Sequence, residues 1–176
     1  RPRTASAPVG RVREDQGRLL IPVRDRARNL SGGDHDLVAS VSAELGMERS
    51  FYKVAMRPGK PLMAGRLNGA LMIGLPGNPV SSMVAAKLFL EPALAALQGL
   101  PHASAPRRKA LTKNDIPANG PREHYMRARV ENGQITVFNR QDSALLSVLA
   151  AANALLIRPP HDPARESGEK MRYIPL

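Results

Sequence analysis

Apolar positions first become periodic at residue 37, where Leu37, Val38, Val41 and Leu45 recur at the spacing of one helix face. Asp36 opens this helix and Gly46 follows as its C-cap, because glycine readily takes the left-handed conformation that ends helices. Residues 50–56 (SFYKVAM) concentrate aromatic and apolar side chains and predict a strand. The RPGKP that follows is a stiff, basic loop with two prolines and a glycine. A second apolar run, residues 69–75 (GALMIGL), predicts a strand leading into Pro76-Gly77-Asn78-Pro79. Val80 to Gln98 then reads as a helix closed by Gly99. Strand, tight turn and helix in succession is the grammar of an α/β layer fold.

Past residue 100 the period changes. The small, proline-rich PHASAP of residues 101–106 precedes Arg107-Arg108-Lys109 and places a domain boundary there, with one domain over 1–105 and a second over 106–176. Tyr125 to Val130 and Ile135 to Asn139 flank Asn132-Gly133, a strong hairpin signal. A helix from Ser143 to about Ala152, a strand from Ala154 to Ile157 and a last strand in MRYIPL complete a small β-rich domain. One continuous sheet through residues 95–130 would contradict this division.

Charge narrows the partners. The 176 residues carry 26 Lys and Arg against 15 Asp and Glu, a net +11, which favours a polyanionic or phosphate-bearing ligand. Residues 1–30, which show no clean period, hold eight arginines against Glu14, Asp15 and Asp25. With no cysteine there is no disulfide framework, thiolate nucleophile or cysteine zinc site, and a reducing cytoplasmic setting is expected. Aromatics at 3% leave few rings on which bases could stack. The richest apolar stretch, Met83 to Leu97, contains Lys87, Glu91 and Pro92 and stops short of the roughly 18 residues of a membrane helix, so a soluble chain is expected. Arg1-Pro2-Arg3 lacks the apolar core of a signal peptide, and the chain reads as a fragment.

Three segments carry candidate chemistry. In GLPGNPVSS (residues 74–82), Asn78 stands at an N-cap and Pro79 at the first helical position, where its missing N–H and fixed φ suit the helix. The N–H groups of Val80, Ser81 and Ser82 would then face an anion, with Gly77 allowing close approach. A capped helix after a turn accounts for the same residues. Lys53, Arg57 and Lys60 place three cations in eight residues of proline-stiffened backbone, an arrangement suited to phosphate or another oxyanion and equally to a solvated cluster. It is not a P-loop, because Val54 stands where glycine is required and Pro61 where a hydroxyl is. Ser31-Gly32-Gly33-Asp34-His35-Asp36 offers two carboxylates around a histidine, able to hold Mg²⁺ or simply to cap a helix. His102, His124 and His161 have no zinc-ligand spacing.

In combination, SGG then DHD, KVAMRPGKPL followed by AGR, and GLPGNPVSS resemble the central domain of the molybdopterin molybdenumtransferases, the enzymes related to bacterial MoeA and to gephyrin. PREHYMRA (residues 121–128) and the stretch from Asp142-Ser143 to Leu155 are similar to that family's C-terminal domain. The resemblance covers roughly residues 31–176 and implies a three-layer α/β/α molybdopterin-binding domain followed by a small β-rich domain. It implies an enzyme that takes adenylylated molybdopterin and molybdate, with Mg²⁺, and releases molybdenum cofactor and AMP. It also implies a homodimer whose active site draws on the partner subunit. By motif, Asp36 matches a functional carboxylate and metal ligand, and Lys53 and Arg57 match basic positions of the cleft, Arg57 replacing a common lysine. Lys60, Ser81, Arg122 or Arg127, and Ser143 fall where the family contacts molybdate or phosphate. Pro76 and Pro79 shape the loop, and Ser31, Gly32, Gly33, Gly77 and Asn78 belong to the expected ligand-binding backbone.

Where the family has four further residues, Gly33 meets Asp34 directly, and the stretch before Ser31 is short for the family's first layer. Breaks in the chain are therefore expected at Gly33–Asp34 and within residues 5–31. The family's two N-terminal domains are also absent. Two other readings compete: a basic nucleic-acid-binding module, which would spread its cations over a convex face, and a gephyrin-like scaffold, which would show a deep apolar groove. The transferase reading expects Lys53, Arg57, Lys60 and the start of the helix after Pro79 in one cleft, since loops after parallel strands gather at one sheet edge.

Overall fold

Residues 19–20, 37–101, 104–142 and 146–176 of this computed structural model are described. In chain order they begin with β1 (Leu19–Leu20), α1 (Leu37–Glu44), β2 (Glu48–Tyr52), β3 (Met56–Arg57), β4 (Met63–Leu67) and β5 (Ala70–Gly74). One long helix follows in three consecutive parts: α2 (Pro79–Ala85), a π-helical turn (Ala86–Leu90) and α3 (Glu91–Leu97). The remainder is β6 (Arg108–Thr112), β7 (Glu123–Glu131), β8 (Gln134–Val137), α4 (Leu146–Ala151), β9 (Ala154–Arg158) and β10 (Lys170–Pro175). The fold is mixed α/β with a β-rich C-terminal part.

Two Asn-Gly pairs set the two tight hairpins. Asn68 and Gly69 turn β4 into β5 with φ of 50° and 78°, and Asn132 and Gly133 turn β7 into β8 with φ of 50° and 76°. Positive φ at both central residues matches the twist of antiparallel strands. The first sheet has the order β1-β5-β4-β2, with β1 parallel to β5 and the other neighbours antiparallel. In the second, β7, β8, β6, β10 and β9 follow one another and β9 pairs back onto β7, so the ring closes as a barrel. β3 joins it from outside, parallel to β7.

Three apolar clusters hold these pieces together. Inside the barrel lie Ala128, Ile135, Ala154, Leu156, Met171 and Tyr173. Between the first sheet and the long helix lie Leu62, Ala64, Ile73 and Ala85. A third cluster joins the two, with Met56 of β3, Val84 of α2 and Tyr125, Leu155, Ile157 and Ile174 of the barrel. β9 is apolar on both sides for this reason: Ala154 and Leu156 face the barrel interior while Leu155 and Ile157 face the helix.

Several sequence expectations change. The strand expected over 50–56 is broken at Lys53, whose φ is 66°, so β2 belongs to the first sheet and β3 to the second. β4 was not expected, although Asn68-Gly69 announces its hairpin. Arg108 and Lys109, which follow the expected domain boundary and carried no strand expectation, start β6. The helix expected from Val80 begins one residue earlier and reaches 19 residues with mean hydropathy 1.5 over its most apolar stretch, long and apolar enough by those measures to cross a bilayer. Its Val80, Val84 and Ala85 are nevertheless fully buried inside the molecule. Pro92 has no N–H and its ring crowds the carbonyl four residues back; just before it the helix widens, Glu91 donating its N–H to the Ala86 carbonyl five residues away.

Candidate functional site

β3 pairs Met56 and Arg57 with Glu123 and His124 of β7, and the Glu123 N–H donates to the Ala55 carbonyl at 3.0 Å. This brings the Arg57-Pro58-Gly59-Lys60-Pro61 loop to the mouth of the barrel. The loop is closed at its base by the N–H groups of Val54 and Leu62, both donating to the Lys60 carbonyl at 3.0 Å. On its other side Gly59 sits against the start of α2: a Cβ there would stand 3.1 Å from Met56 Cε and 3.6 Å from the Ser81 carbonyl. Across the mouth, the carbonyl of Arg122 is held by Asn119, whose Nδ2 also reaches the carbonyls of Arg158 and Pro159 at 3.2 and 2.6 Å.

A polar cleft of about 580 Å³ opens between these parts. Arg57, Lys60 and Arg122 supply its cations, Ser81, Asn139 and Gln141 its neutral polar groups, and Asp142 its carboxylate. Such a volume accepts a small organic anion together with an inorganic one. Three cations converging on a concavity, rather than spreading over a convex face, suit a compact oxyanion.

The electrostatic consequence is visible at His124, which is buried and pairs with Arg57 across β3 and β7. Burial, then Arg57, Arg127, Arg158 and Arg122, lower its pKa from 6.5 to about 4. The folded state therefore holds this imidazole neutral where the unfolded chain would protonate it. The imidazole costs folding nothing above about pH 6.5 and destabilises the fold progressively as pH falls from there towards 4. A urea-unfolding series across that window is expected to show stability falling with pH, and His124→Gln is expected to flatten it.

Of the residues expected from sequence, Arg57, Lys60, Ser81 and Arg122 line the cleft. Lys53 does not: its Nζ rests 4.8 Å from the centre of the Tyr52 ring. Arg127 is 1% exposed and spends its guanidinium behind the cleft wall, Nη1 donating to the Asp142 carbonyl at 2.8 Å. Burial lowers the Arg127 pKa, opposed by the Asp142 carboxylate. Pro76 is buried and Pro79 is the first helical residue after the Asn78 cap, while Gly77 and Asn78 lie outside the lining. Two of the three N–H groups expected to face a ligand are taken: Ser81 N–H donates to Asn78 Oδ1 at 3.2 Å and Ser82 N–H to the Asn78 carbonyl at 2.8 Å. The helix start thus contributes the Ser81 position more than open backbone donors. Ser31, Gly32, Gly33, Asp36 and Ser143 lie outside the described residues, as do the Gly33–Asp34 junction and, apart from residues 19–20, the second expected break.

Asn139, Gln141 and Asp142 of the cleft lining are not among the residues expected from sequence. Their signal was the short connection between a strand ending at Asn139 and a helix starting at Ser143, which has to cross the barrel mouth. Gly59 also has a testable demand, since φ there is 104°, a region that L side chains rarely adopt. Gly59→Ala is expected to cost more than about 1 kcal/mol, read as a lower urea midpoint.

The chain is thus a mixed α/β part that lends a parallel strand to a barrel, with a cation-lined cleft at their seam. Residues 30–96 match the family described as probable molybdopterin binding domain, and residues 109–176 match the MoeA C-terminal region (domain IV). The chain is 32% identical over 181 residues to the molybdopterin molybdenumtransferase of Bacillus subtilis, covering 94% of this chain and 42% of that protein. It is 35% identical over 127 residues to molybdopterin molybdenumtransferase 2 of Mycobacterium tuberculosis, covering 71% of this chain and 28% of that one. A solved structure of the molybdopterin biosynthesis MoeA protein from Pyrococcus horikoshii superposes with a TM-score of 0.67 at 25% identity, over 80% of this chain and 34% of that one. The chain belongs to the MoeA family. It spans less than half the length of these curated relatives.

Proposed function

We propose that this chain is the ligand-binding part of a molybdopterin molybdenumtransferase, inserting molybdate into adenylylated molybdopterin with release of AMP. The observation that carries the reading is the convergence of Arg57, Lys60, Arg122 and Ser81 on one cleft. Molybdate is a tetrahedral dianion and the pterin substrate carries phosphate, so a site for both needs cations and hydroxyls at fixed positions. No nucleophilic side chain is required. Arg57 of β3 and Arg122, which immediately precedes the neighbouring strand β7, hold negative charge, Lys60 adds a point charge, and the Ser81 hydroxyl donates from the helix start. The protein's part is to bring the two substrates together and to stabilise the charge that builds as molybdate meets the dithiolene.

The Mg²⁺ that the resemblance implies has its expected ligand, Asp36, outside the described residues. Among the described residues no three His, Asp or Glu side chains gather as a metal site. No step is assigned to a metal here. The same reading carries a three-layer first domain over 1–105, a β-rich domain over 106–176, a homodimer and a cytoplasmic location. The family resemblance supports each of these, and the absence of cysteine fits the last. The test is AMP release from adenylylated molybdopterin with and without molybdate. Stimulation by molybdate supports the reading, and equal release, or none, refutes it.

A further inference from the structure

One side chain of the cleft has a bonding pattern that its neighbours lack. The regular ladder between β7 and β8 stops at Ala128 opposite Val137, and the Phe138 N–H still reaches the Arg127 carbonyl at 3.2 Å. Beyond that point β8 no longer runs beside β7, and before β3 takes up the same edge at Glu123 and His124 the Gln141 side chain bonds to Arg127. Gln141 Oε1 accepts from the Arg127 backbone N–H at 3.0 Å and from Arg127 Nε at 3.3 Å. Its Nε2 donates to the carbonyls of Arg127 at 3.0 Å and Phe138 at 2.7 Å. The amide thus behaves as one further residue of β8. Arg127 completes the arrangement by donating from Nη1 to the Asp142 carbonyl at 2.8 Å.

We infer that Gln141 is the positioning residue of the anion cleft: through Arg127 it fixes the segment that carries Asn139 and Asp142 as the wall opposite Lys60 and Ser81. This deepens the proposed function and rests on it. The chemistry explains why an amide stands here. Two contacts need an acceptor and two need a donor, and among side chains of this length only glutamine offers both. Glutamate would meet two carbonyls with a carboxylate, and methionine of similar size would meet none of the four. The wall matters because fixed donors bind an anion without an ordering cost at the moment of binding. Arg127, enclosed behind the wall, acts through these bonds and not by touching the ligand.

The experiment is molybdate binding by titration calorimetry, with the melting temperature measured in parallel, for the unsubstituted protein, Gln141→Met, Arg127→Lys and the double variant. Arg127→Lys keeps the buried charge but cannot make both the Nε and Nη1 bonds. The expected result is a dissociation constant for molybdate raised about tenfold or more in either single variant, and no further in the double, since both break one unit. In turnover, the KM for molybdate rises by the same factor while kcat stays within about twofold. Molybdate binding within twofold of the unsubstituted protein in both single variants, with only the melting temperature lowered, overturns the inference. So does additivity in the double variant. If Gln141→Met does not fold, Arg127→Lys decides by the same criterion. An unsubstituted protein that binds no molybdate refutes the proposed function itself, which the variants alone cannot do.

Discussion

Asp162→Ala is expected to destabilise the protein by about 3–5 kcal/mol, because it strands a buried cation. Arg158 and Asp162 are 1% and 4% exposed at their side chains, and Arg158 Nε reaches Asp162 Oδ2 at 2.5 Å. Arg165 binds the same carboxylate from its exposed side and continues to Glu169 at 3.0 Å. Arg158 also donates from Nη2 to the Pro163 carbonyl at 2.7 Å, so the guanidinium is held in place whether or not its counter-charge is there. Domains of this kind are stable by only about 5–15 kcal/mol, so the loss would be a large part of the whole. Replacing both members, Arg158→Met with Asp162→Leu, is expected to cost much less, since no charge is then left unpaired. Denaturant midpoints of the three proteins decide it, and equal losses in the single and double variants would refute the explanation. The pH dependence has a definite sign. Burial pushes the Asp162 carboxyl up, but hydrogen bonds from Arg165 and Arg158 outweigh it and leave the group below the usual 3.8. Its stabilising contribution is present above the unfolded value and is lost as pH falls below 3.8 through the folded one.

Lys60→Ala is expected to lower molybdate-dependent AMP release by about 100-fold, the scale of removing one fixed charge-stabilising donor from a reaction centre. Lys60 is exposed and the bonds that close the loop use its backbone carbonyl, so the substitution removes a charge without opening the loop. Arg122→Ala is expected to act in the same direction, because its backbone is held by Asn119 while the residue lines the same cleft. Unchanged turnover with a preserved melting temperature would remove Lys60 from the site.

The sequence made some of this readable because the relevant signals are local. Pro79 after Asn78, the periodicity of residues 80–97 and the Asn132-Gly133 turn each depend on a few neighbouring residues, and each became the element it announced. Lys53 shows the opposite case. Nothing in SFYKVAM says that the backbone reverses at its centre, because the reason lies in β7, some 70 residues later, whose edge takes up Met56 and Arg57. The strand that Arg108 and Lys109 begin is unannounced for a similar reason. In β6 only Ala110 and Thr112 are buried, while Arg108, Lys109 and Leu111 are exposed, an alternation too short to announce a strand. For the cleft, cation-rich motifs pointed to Arg57, Lys60 and Arg122. Whether Arg122 or Arg127 faced the ligand could not be read, since five positions along a twisted strand decide it and no single residue does.

The two-residue strand β3 also bears on how such a chain can vary. Met56 and Arg57 belong by sequence to the first part and by hydrogen bonding to the barrel. A recombination that exchanged residues 109–176 for an unrelated barrel would have to bring a strand accepting Met56 opposite Glu123 and Arg57 opposite His124 in parallel. Otherwise Arg57 would leave the cleft and Met56 its buried seat in the seam. The two halves are therefore not portable cassettes. Exchanging either half alone would break the parallel pairing of residues 56–57 with 123–124, and with it the place of Arg57 in the cleft, so the two halves make the site only as a pair.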